Sequence, residues 1–204
     1  MAIKAVIWDL GGVLLRTEDG APRSALAQQL GKSRAELETL VFSGESGDQA
    51  QLGEISIEQH WENIRRQLGL DAEGIAEFQR LFWGGDHLDW ELVSYVRSLH
   101  SRYKTGLLSN AFSDLRHVVT SVWGFSDAFD AMIISAEVHL VKPDPRIFHL
   151  ALERLGVEPQ EAVFIDDWQP NVAGARQLNL HAIQFLHPLQ ARSDLEALLD
   201  GVPK

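Results

Sequence analysis

Three carboxylates in this chain stand directly after short apolar segments. Asp9 follows residues 5–8, and the adjacent Asp166 and Asp167 follow residues 162–165. Both segments are short, apolar and partly β-branched, which predicts buried strands. A carboxylate at a strand end can be a nucleophile or a ligand for a hard divalent cation. Each acid taken singly is more often a turn or helix-cap residue, so their common placement is the stronger signal.

Other polar residues follow apolar segments in the same way. Gly11 and Gly12 turn the backbone just after Asp9, and Ser109 follows the apolar residues 105–108. Glycine suits such a turn because it adopts backbone angles that are closed to other residues. The carboxyl ends of parallel strands share one edge of a sheet, so these residues are expected to converge on one crevice.

Helical and strand patterns alternate from residue 88 onward. The spacing predicts strands at 105–108, 131–134, 162–165 and 181–185, and helices at 89–99, 113–122, 143–155, 171–178 and 193–199. Such alternation needs crossover connections and produces a parallel sheet covered on both faces. The predicted fold class is therefore α/β, with a doubly wound, Rossmann-like parallel sheet.

Residues 21–85 have a different character. Apolar residues recur there at helical spacing and no strand is apparent, while Ser56 and Gln59 are spaced as a capping box for one of the helices. Residues 16–20 are polar and are predicted to form a loop. We therefore expect an α/β core of residues 1–17 and 86–204, interrupted by an all-helical cap of residues 18–85.

Composition narrows the classes of partner. The 204 residues carry a formal net charge of −11, which argues against nucleic acid or an acidic membrane as a partner. The absence of cysteine excludes disulfides and thiolate chemistry. No apolar run approaches the roughly 20 residues that span a bilayer, and no signal peptide is evident. The expectation is a cytoplasmic protein whose oligomeric state the sequence does not reveal.

Four motifs occur in an order that resembles a known family. They read DLGGVL at 9–14, LLSN at 107–110, SAEVHLVKPDPRIF at 135–148 and VFIDDWQPNVAGA at 163–175. With these motifs the chain resembles the haloacid dehalogenase-like (HAD) hydrolases that carry a small helical cap. It is most similar to the phosphatases of that superfamily whose first motif reads D-x-G.

This resemblance implies a role for each motif residue. Asp9 would be the catalytic nucleophile, which forms an aspartyl-phosphate with a small phosphorylated substrate. Lys142 would be catalytic as well, because it holds Asp9 and the phosphoryl group and offsets their negative charge. Ser109 and Asn110, together with Lys142, would bind the substrate phosphate.

The resemblance also implies a Mg²⁺ cofactor. Asp9, Asp166 and Asp167 would supply carboxylate ligands, and the backbone carbonyl of Gly11 would complete the set of metal ligands from the protein. Oxygen ligands of this kind are those that Mg²⁺ prefers. Neutralising charge and positioning the groups supply most of the catalysis of phosphoryl transfer.

The sequence departs from the family pattern at three positions. Gly11 stands where the commonest phosphatases have a second Asp, which acts as general acid and base. We therefore expect slow hydrolysis of esters with poor leaving groups, since such assistance is worth about 10²–10⁴-fold in rate. His139 and Asn179 stand where glycine is common; Asn tolerates the left-handed conformation, whereas nothing in the sequence explains His139.

Two other functions stay open. The first is a 2-haloacid dehalogenase, which needs no metal and which the acidic pair Asp166-Asp167 disfavours. The second is a catalytically impaired phosphate-binding or regulatory module, which Gly11 keeps open. Weaker candidates for site roles are Asn171 (orienting the acids), Trp8 and Trp168 (pocket walls), Arg16, Trp61 and Arg65 (substrate contacts), and Glu18, Asp19 and His60 (substitutes for the missing acid).

Overall fold

A five-stranded parallel sheet forms the centre of the protein. The computed structural model describes residues 2–201. Numbered in chain order, the strands of this sheet are β1 (Ala5–Trp8), β4 (Lys104–Ser109), β5 (Ala131–Ile134), β6 (Ala162–Asp166) and β7 (His181–Gln184). Their spatial order is β5-β4-β1-β6-β7, and every neighbouring pair is parallel. The predicted α/β fold class is confirmed.

Helices cover both faces of the sheet. In chain order they are α6 (Trp90–Leu99), α7 (Leu115–His117), α8 (Ser135–Val138), α9 (Pro145–Leu155), α10 (Gln169–Gln177) and α11 (Pro188–Leu199). Alternate side chains of β1 belong to two apolar clusters. Val6 and Trp8 pack with α6 and α11 in one cluster, and Ile7 packs with α9 and α10 in the other. Because β1 is buried on both faces, its sequence is a continuous apolar run.

Five further helices lie between β1 and β4. They are α1 (Ala21–Gln29), α2 (Arg34–Glu38), α3 (Glu45–Gln51), α4 (Ile57–Leu68) and α5 (Ala72–Trp83), with a π-helical turn at Thr39–Ser43. Their buried apolar residues form a third cluster of their own, which also takes in Phe112. Ser56 and Gln59 form the predicted capping box of α4. We refer to residues 18–85 as the cap, and this boundary remains a prediction.

A two-stranded antiparallel ribbon joins the cap to the core. Strand β2 (Leu15–Thr17) pairs with β3 (Asp86–Leu88), so the prediction of a loop was wrong for residues 16 and 17. Thr17 Oγ1 donates to Asp86 Oδ1 at 2.5 Å across the ribbon. The partner strand lies about seventy residues away in the chain, so no local pattern signals the pairing.

Three of the five helices predicted from residue 88 onward are found within two residues of their predicted bounds, and the other two differ more. The helix expected at 113–122 is a short α-helix, Leu115–His117, that continues as the π-helical segment Val118–Val122. The last helix begins at Pro188 rather than 193, with the side chain of His187 as its N-cap. Proline is favoured in the first helical turn because it has no amide proton to leave unpaired. Among residues 2–201, no helix is both long and apolar enough to cross a bilayer.

Candidate active site

Lys142 lies at the centre of the carboxyl edge of the sheet. Its Nζ is 2.8 Å from Asp9 Oδ1 and 2.7 Å from Asp166 Oδ2. The same ammonium group donates a hydrogen bond of 3.0 Å to the carbonyl of Leu108 at the end of β4. Only 1% of the Lys142 side chain is exposed, so these three acceptors replace its hydration. A buried cation with two carboxylate partners is the arrangement that burial of charge requires.

The three predicted acids meet at this edge. Asp9, Asp166 and Asp167 each offer one carboxylate oxygen, and these three atoms lie within 4.8 Å of one another. Asp9 follows β1, while the other two acids end and follow β6, the adjacent strand. Its amide donates to the carbonyl of Ile165 at 2.9 Å, which extends the pairing of the two strands to the site.

Asp166 is fully buried, and both of its carboxylate oxygens accept hydrogen bonds. Besides Lys142, it accepts hydrogen bonds from the Asn171 Nδ2 at 3.1 and 3.0 Å and from the Trp168 amide at 2.8 Å. Asn171 therefore orients this acid, as the sequence suggested. The Oδ1 atom of Asn171 is buried and has no hydrogen-bond partner within residues 2–201.

Asp167 lies against the glycine turn that follows Asp9. A Cβ atom added at Gly12 would be only 2.1 Å from Asp167 Oδ2, and Gly12 has a φ of +77°. Glycine is therefore required here both by the backbone conformation and by the close approach of the carboxylate. A Cβ atom added at Gly11, in contrast, would meet no atom within 4 Å.

Crowding of the acids changes their ionisation. Burial and the neighbouring Asp166 and Asp167 together raise the pKa of Asp9 to about 7, although Lys142 acts in the opposite direction. Burial and the charge of Asp166 likewise raise the pKa of Asp167. Burial disfavours the charged form of Lys142, but the two carboxylates outweigh it and raise the pKa of its ammonium group. Without a further cation, this cluster carries excess negative charge.

Ser109 ends β4, and Asn110 follows it beside Lys142. Ser109 is only 3% exposed. The side chain of Asn110 is used inside the protein: its Nδ2 donates to the Lys142 carbonyl at 3.0 Å, and its Oδ1 accepts from the Lys142 amide at 2.8 Å. Asn110 thus fixes the backbone that carries the lysine.

Ser135 is a site residue that sequence reasoning missed. It is fully buried directly after β5, and its hydroxyl accepts from the Ala111 amide at 2.9 Å and donates to the Ala111 carbonyl at 3.1 Å. This pair of bonds holds the loop that follows Asn110. The signal was available, because Ser135 follows an apolar strand as Ser109 does.

Several weaker candidates have other roles. Arg16 pairs with Asp89 at 2.8 Å and donates to the Val13 carbonyl, and Arg65 pairs with Glu62 at 2.7 Å. The Trp8 ring is fully buried and packs edge-on against Tyr95, so it is a core residue and not a pocket wall. Trp168, which caps α10, is 62% exposed.

Two cap candidates, His60 and Trp61, also belong to the interior of the cap. The rings of both pack against Phe112, with centroids 5.1 Å and 6.5 Å away, respectively. His60 is fully buried, and its Nδ1 is 2.9 Å from the Ser46 hydroxyl. Among the residues named for the missing acid, Asp19 precedes α1 and accepts a hydrogen bond of 2.9 Å from the Ala21 amide. Glu18 pairs with Arg16 at 3.3 Å.

The parallel sheet covered by helices on both faces defines a doubly wound α/β protein. The sequence identifies its family. Residues 3–179 match the profile of the haloacid dehalogenase-like hydrolases. The chain belongs to this family and is a hydrolase.

Similar proteins carry several names. The chain is 30% identical to mouse acyl-CoA dehydrogenase family member 10 over 98% of its own length, but it spans only 19% of that protein. It is 24% identical to the sesquiterpene phosphatase astK of Aspergillus oryzae, covering 96% of each chain. It is also 24% identical to the D-ribitol-5-phosphate phosphatase of Bacteroides thetaiotaomicron, covering 98% of this chain and 100% of that one.

A solved structure shares the fold. It is a HAD family enzyme from Bacteroides thetaiotaomicron in complex with magnesium and inorganic phosphate. The TM-score is 0.74 with 24% sequence identity, and the match covers 90% of this chain and 94% of that one.

Proposed function

We propose that this protein is a Mg²⁺-dependent phosphatase that hydrolyses a small organic phosphate monoester through an aspartyl-phosphate on Asp9. The observation that carries the proposal is the cluster of Asp9, Asp166 and Asp167, with oxygens within 4.8 Å of one another beside the buried Lys142. The names of the two relatives that align over nearly their whole length support a phosphatase.

The donor set fits magnesium. Asp9, Asp166 and Asp167 offer hard carboxylate oxygens, and the carbonyl of Gly11 would join them. Burial and mutual repulsion raise the pKa values of Asp9 and Asp167, and a divalent cation would offset both effects. When bound, Mg²⁺ would lower the repulsion between the nucleophile and the phosphate and would orient the phosphoryl oxygens.

The chain's own residues carry the covalent chemistry. A carboxylate oxygen of Asp9 forms a bond to phosphorus as the bond from phosphorus to the ester oxygen breaks, and the leaving alkoxide takes a proton from water. Lys142 holds Asp9 and offsets the charge of the phosphoryl group. Water then attacks the acyl-phosphate, which releases inorganic phosphate and regenerates Asp9.

Ser109 and Asn110 have different tasks in this proposal. The hydroxyl of Ser109, a residue that is only 3% exposed, donates to a phosphoryl oxygen. Asn110 contributes through its backbone, because its amide side chain is engaged with Lys142. Phosphate binding therefore depends on Lys142, Ser109 and the loop that Asn110 fixes.

The substrate class follows from Gly11 and from the relatives. Gly11 has no side chain to protonate a leaving alkoxide, so esters of acidic alcohols and phenols are expected to react fastest. The two phosphatase relatives are named for a sesquiterpene and for a sugar alcohol phosphate. Their diversity supports an organic monoester but does not favour one alcohol.

Gly11 also leaves a second function open. If water cannot be activated where Gly11 stands, the site binds phosphate without turning it over, as a regulatory module would. The dehalogenase alternative is disfavoured, because three clustered carboxylates suit a cation and repel the carboxylate of a haloacid.

Phosphate release from p-nitrophenyl phosphate and from an alkyl phosphate, each with Mg²⁺ and with EDTA, tests the proposal. We expect Mg²⁺-dependent release that is faster with the aryl ester and that Asp9→Asn abolishes. Asp127→Asn is the matched control, since this acid is exposed and pairs with Arg97. Unchanged activity in Asp9→Asn would overturn the mechanism, and phosphate binding without turnover would favour the regulatory module.

A further inference from the structure

His139 has a backbone conformation that glycine usually occupies. Its φ is +56°, and in the described part of the chain the only other residue besides glycine with a positive φ is Asn179. His139 follows α8, the short helix that comes directly after β5. Left-handed backbone is uncommon for residues with a Cβ atom, so such a residue warrants an explanation.

The side chain of His139 reaches the cap. Its Nδ1 donates a hydrogen bond of 2.7 Å to the carbonyl of Leu52, just beyond the end of α3. Glycine in the same position would relax the backbone but would lose this bond. The explanation for histidine at this position is therefore a contact between core and cap.

The adjacent Gly53 packs against the same part of the core. A Cβ atom added there would lie 2.1 Å from the carbonyl oxygen of Ala136 and 3.2 Å from His139 Cε1. Backbone therefore meets backbone between α3 and α8, which a larger residue would prevent. The contact thus has both a close steric fit and a hydrogen bond.

This contact lies far along the chain from the ribbon that joins the cap to the core, so it can restrict movement of the cap. The chain enters and leaves the cap through the β2–β3 ribbon, where the Gly85 carbonyl accepts from the amides of Glu18 at 3.0 Å and Asp19 at 3.2 Å. A body joined through one narrow ribbon can pivot about it unless it is held elsewhere. Leu52 and Gly53 belong to the cap but lie far along the chain from both ribbon strands.

We propose that His139 is a positioning residue that fastens the cap to the core over the acidic site. The contact of Leu52 and Gly53 with Ala136 and His139, which we call the cap latch, sets how closely the cap covers a bound substrate. His139 acts through the cap and does not touch the reacting atoms. The proposal rests on the proposed function only in its kinetic test.

Two pairs of variants separate the latch from backbone strain. His139→Gly removes both the bond and the positive-φ side chain, and Asn179→Gly relaxes an equivalent backbone position, φ +64°, at the end of α10. Gly53→Ala separates the two sides of the cap latch, because the added Cβ atom would collide with the Ala136 carbonyl. Gly69→Ala adds the same side chain at a nearly equal φ of +65°, where nothing lies within 4 Å.

Hydrogen exchange of the peptide covering residues 50–56 is the first measurement. The amides of Gly53 and Glu54 are bonded to the carbonyls of Ala50 and Gln49, so they report on the end of α3. We expect exchange at least about fivefold faster in His139→Gly and Gly53→Ala, because opening of the end of α3 no longer has to break the latch. Wild-type exchange rates in both of these variants, or equal acceleration in the two controls, would overturn the proposal.

Steady-state kinetics with p-nitrophenyl phosphate are the second measurement. In the two latch variants we expect KM to rise about fivefold, while the inhibition constant of inorganic phosphate stays within about twofold. The residues proposed to bind phosphate, Ser109, Asn110 and Lys142, all lie outside the cap. A purely structural defect would change both constants. If no variant and no wild-type sample turns over substrate, the proposed function fails and the exchange result alone decides the latch.

Discussion

Asp9 is held between opposing influences, because the buried Lys142 favours its ionised form while burial and two neighbouring acids disfavour it. The outcome is a carboxyl whose pKa is about 7 in the folded, metal-free chain and close to 3.8 when exposed. A nucleophile must be ionised, so the cation that binds beside Asp9 would also prepare it for attack.

Substitution of Asp9 should change the pH dependence of stability. Because the pKa is raised on folding, the acid stabilises the fold below about pH 4, and this contribution is lost as the pH rises to about 7. In EDTA, the melting temperature of the wild type relative to Asp9→Asn should therefore fall by at least about 4 °C between pH 5 and pH 8. Asp127→Asn, at an exposed acid, should show no such trend.

Gly11 offers a direct gain-of-function test. Its Cβ position is free of neighbours within 4 Å and its φ is not in the left-handed region, so aspartate fits there. We expect Gly11→Asp to raise kcat for an alkyl phosphate about tenfold or more, because it adds a general acid. Gly12→Asp is the control and should inactivate the protein, since its side chain would collide with Asp167. An unchanged rate in Gly11→Asp would show that protonation of the leaving group is not limiting.

At the scale of elements, the site is built from the loops that leave β1, β4 and β6. These strands are neighbours in the order β4-β1-β6, so their carboxyl ends place Ser109, Asp9 and Asp166 side by side. The loop that follows β5 contributes Lys142 from outside this trio. The backbone of Lys142 is held in place by two hydrogen bonds with the side chain of Asn110, on the loop after β4.

Asn110→Asp tests the bond between these two loops. The variant keeps the acceptor for the Lys142 amide but loses the donor to the Lys142 carbonyl and places two oxygens together. We expect kcat/KM to fall about tenfold to a hundredfold, or about 1.4–2.8 kcal/mol of transition-state stabilisation. The exposed Asn63→Asp, on α4 of the cap, should leave it unchanged. Equal activity in both variants would mean that Asn110 does not position the lysine.

At the scale of the molecule, two bodies with their own apolar clusters share one narrow ribbon. The cap cluster takes in Phe112 from the loop that follows β4, so the cap and the phosphate-binding loop are packed together. Phe112 stacks on Phe42 of the cap with ring centroids 6.4 Å apart. Cap packing and the geometry of the site are therefore linked through this loop.

Binding of Mg²⁺ should stabilise the whole fold. A cation that binds only the folded chain adds about 2.7 kcal/mol at a hundred times its Kd, which corresponds to a rise of about 5–10 °C in melting temperature. We expect this rise at pH 8 with MgCl₂ but not with NaCl of equal ionic strength. Asp167→Asn should reduce it strongly, whereas the surface variant Glu77→Gln should retain it. An equal shift in both variants would place the cation elsewhere.

The sequence alone determined the features that depend on local pattern. Apolar runs that end in Asp9, Ser109 and Asp166 predicted strands, and the rule that parallel strands share one edge predicted that these residues meet. The capping box of α4 was equally readable, because Ser56 and Gln59 interact with backbone only a few residues away. These features follow from short stretches of sequence, or from the rule that parallel strands end at the same edge of a sheet.

Only the tertiary structure decided the features that depend on contacts between distant residues. The β2–β3 ribbon, the bonds of Asn110 to Lys142 and the bond of His139 to Leu52 each join segments separated by at least thirty residues. The side chains of Asn110 and His139 are not part of an apolar pattern with the period of a strand or a helix, so the sequence does not indicate their partners. Their partners are set by how the cap and the loops pack on the finished sheet, which no single stretch of chain specifies.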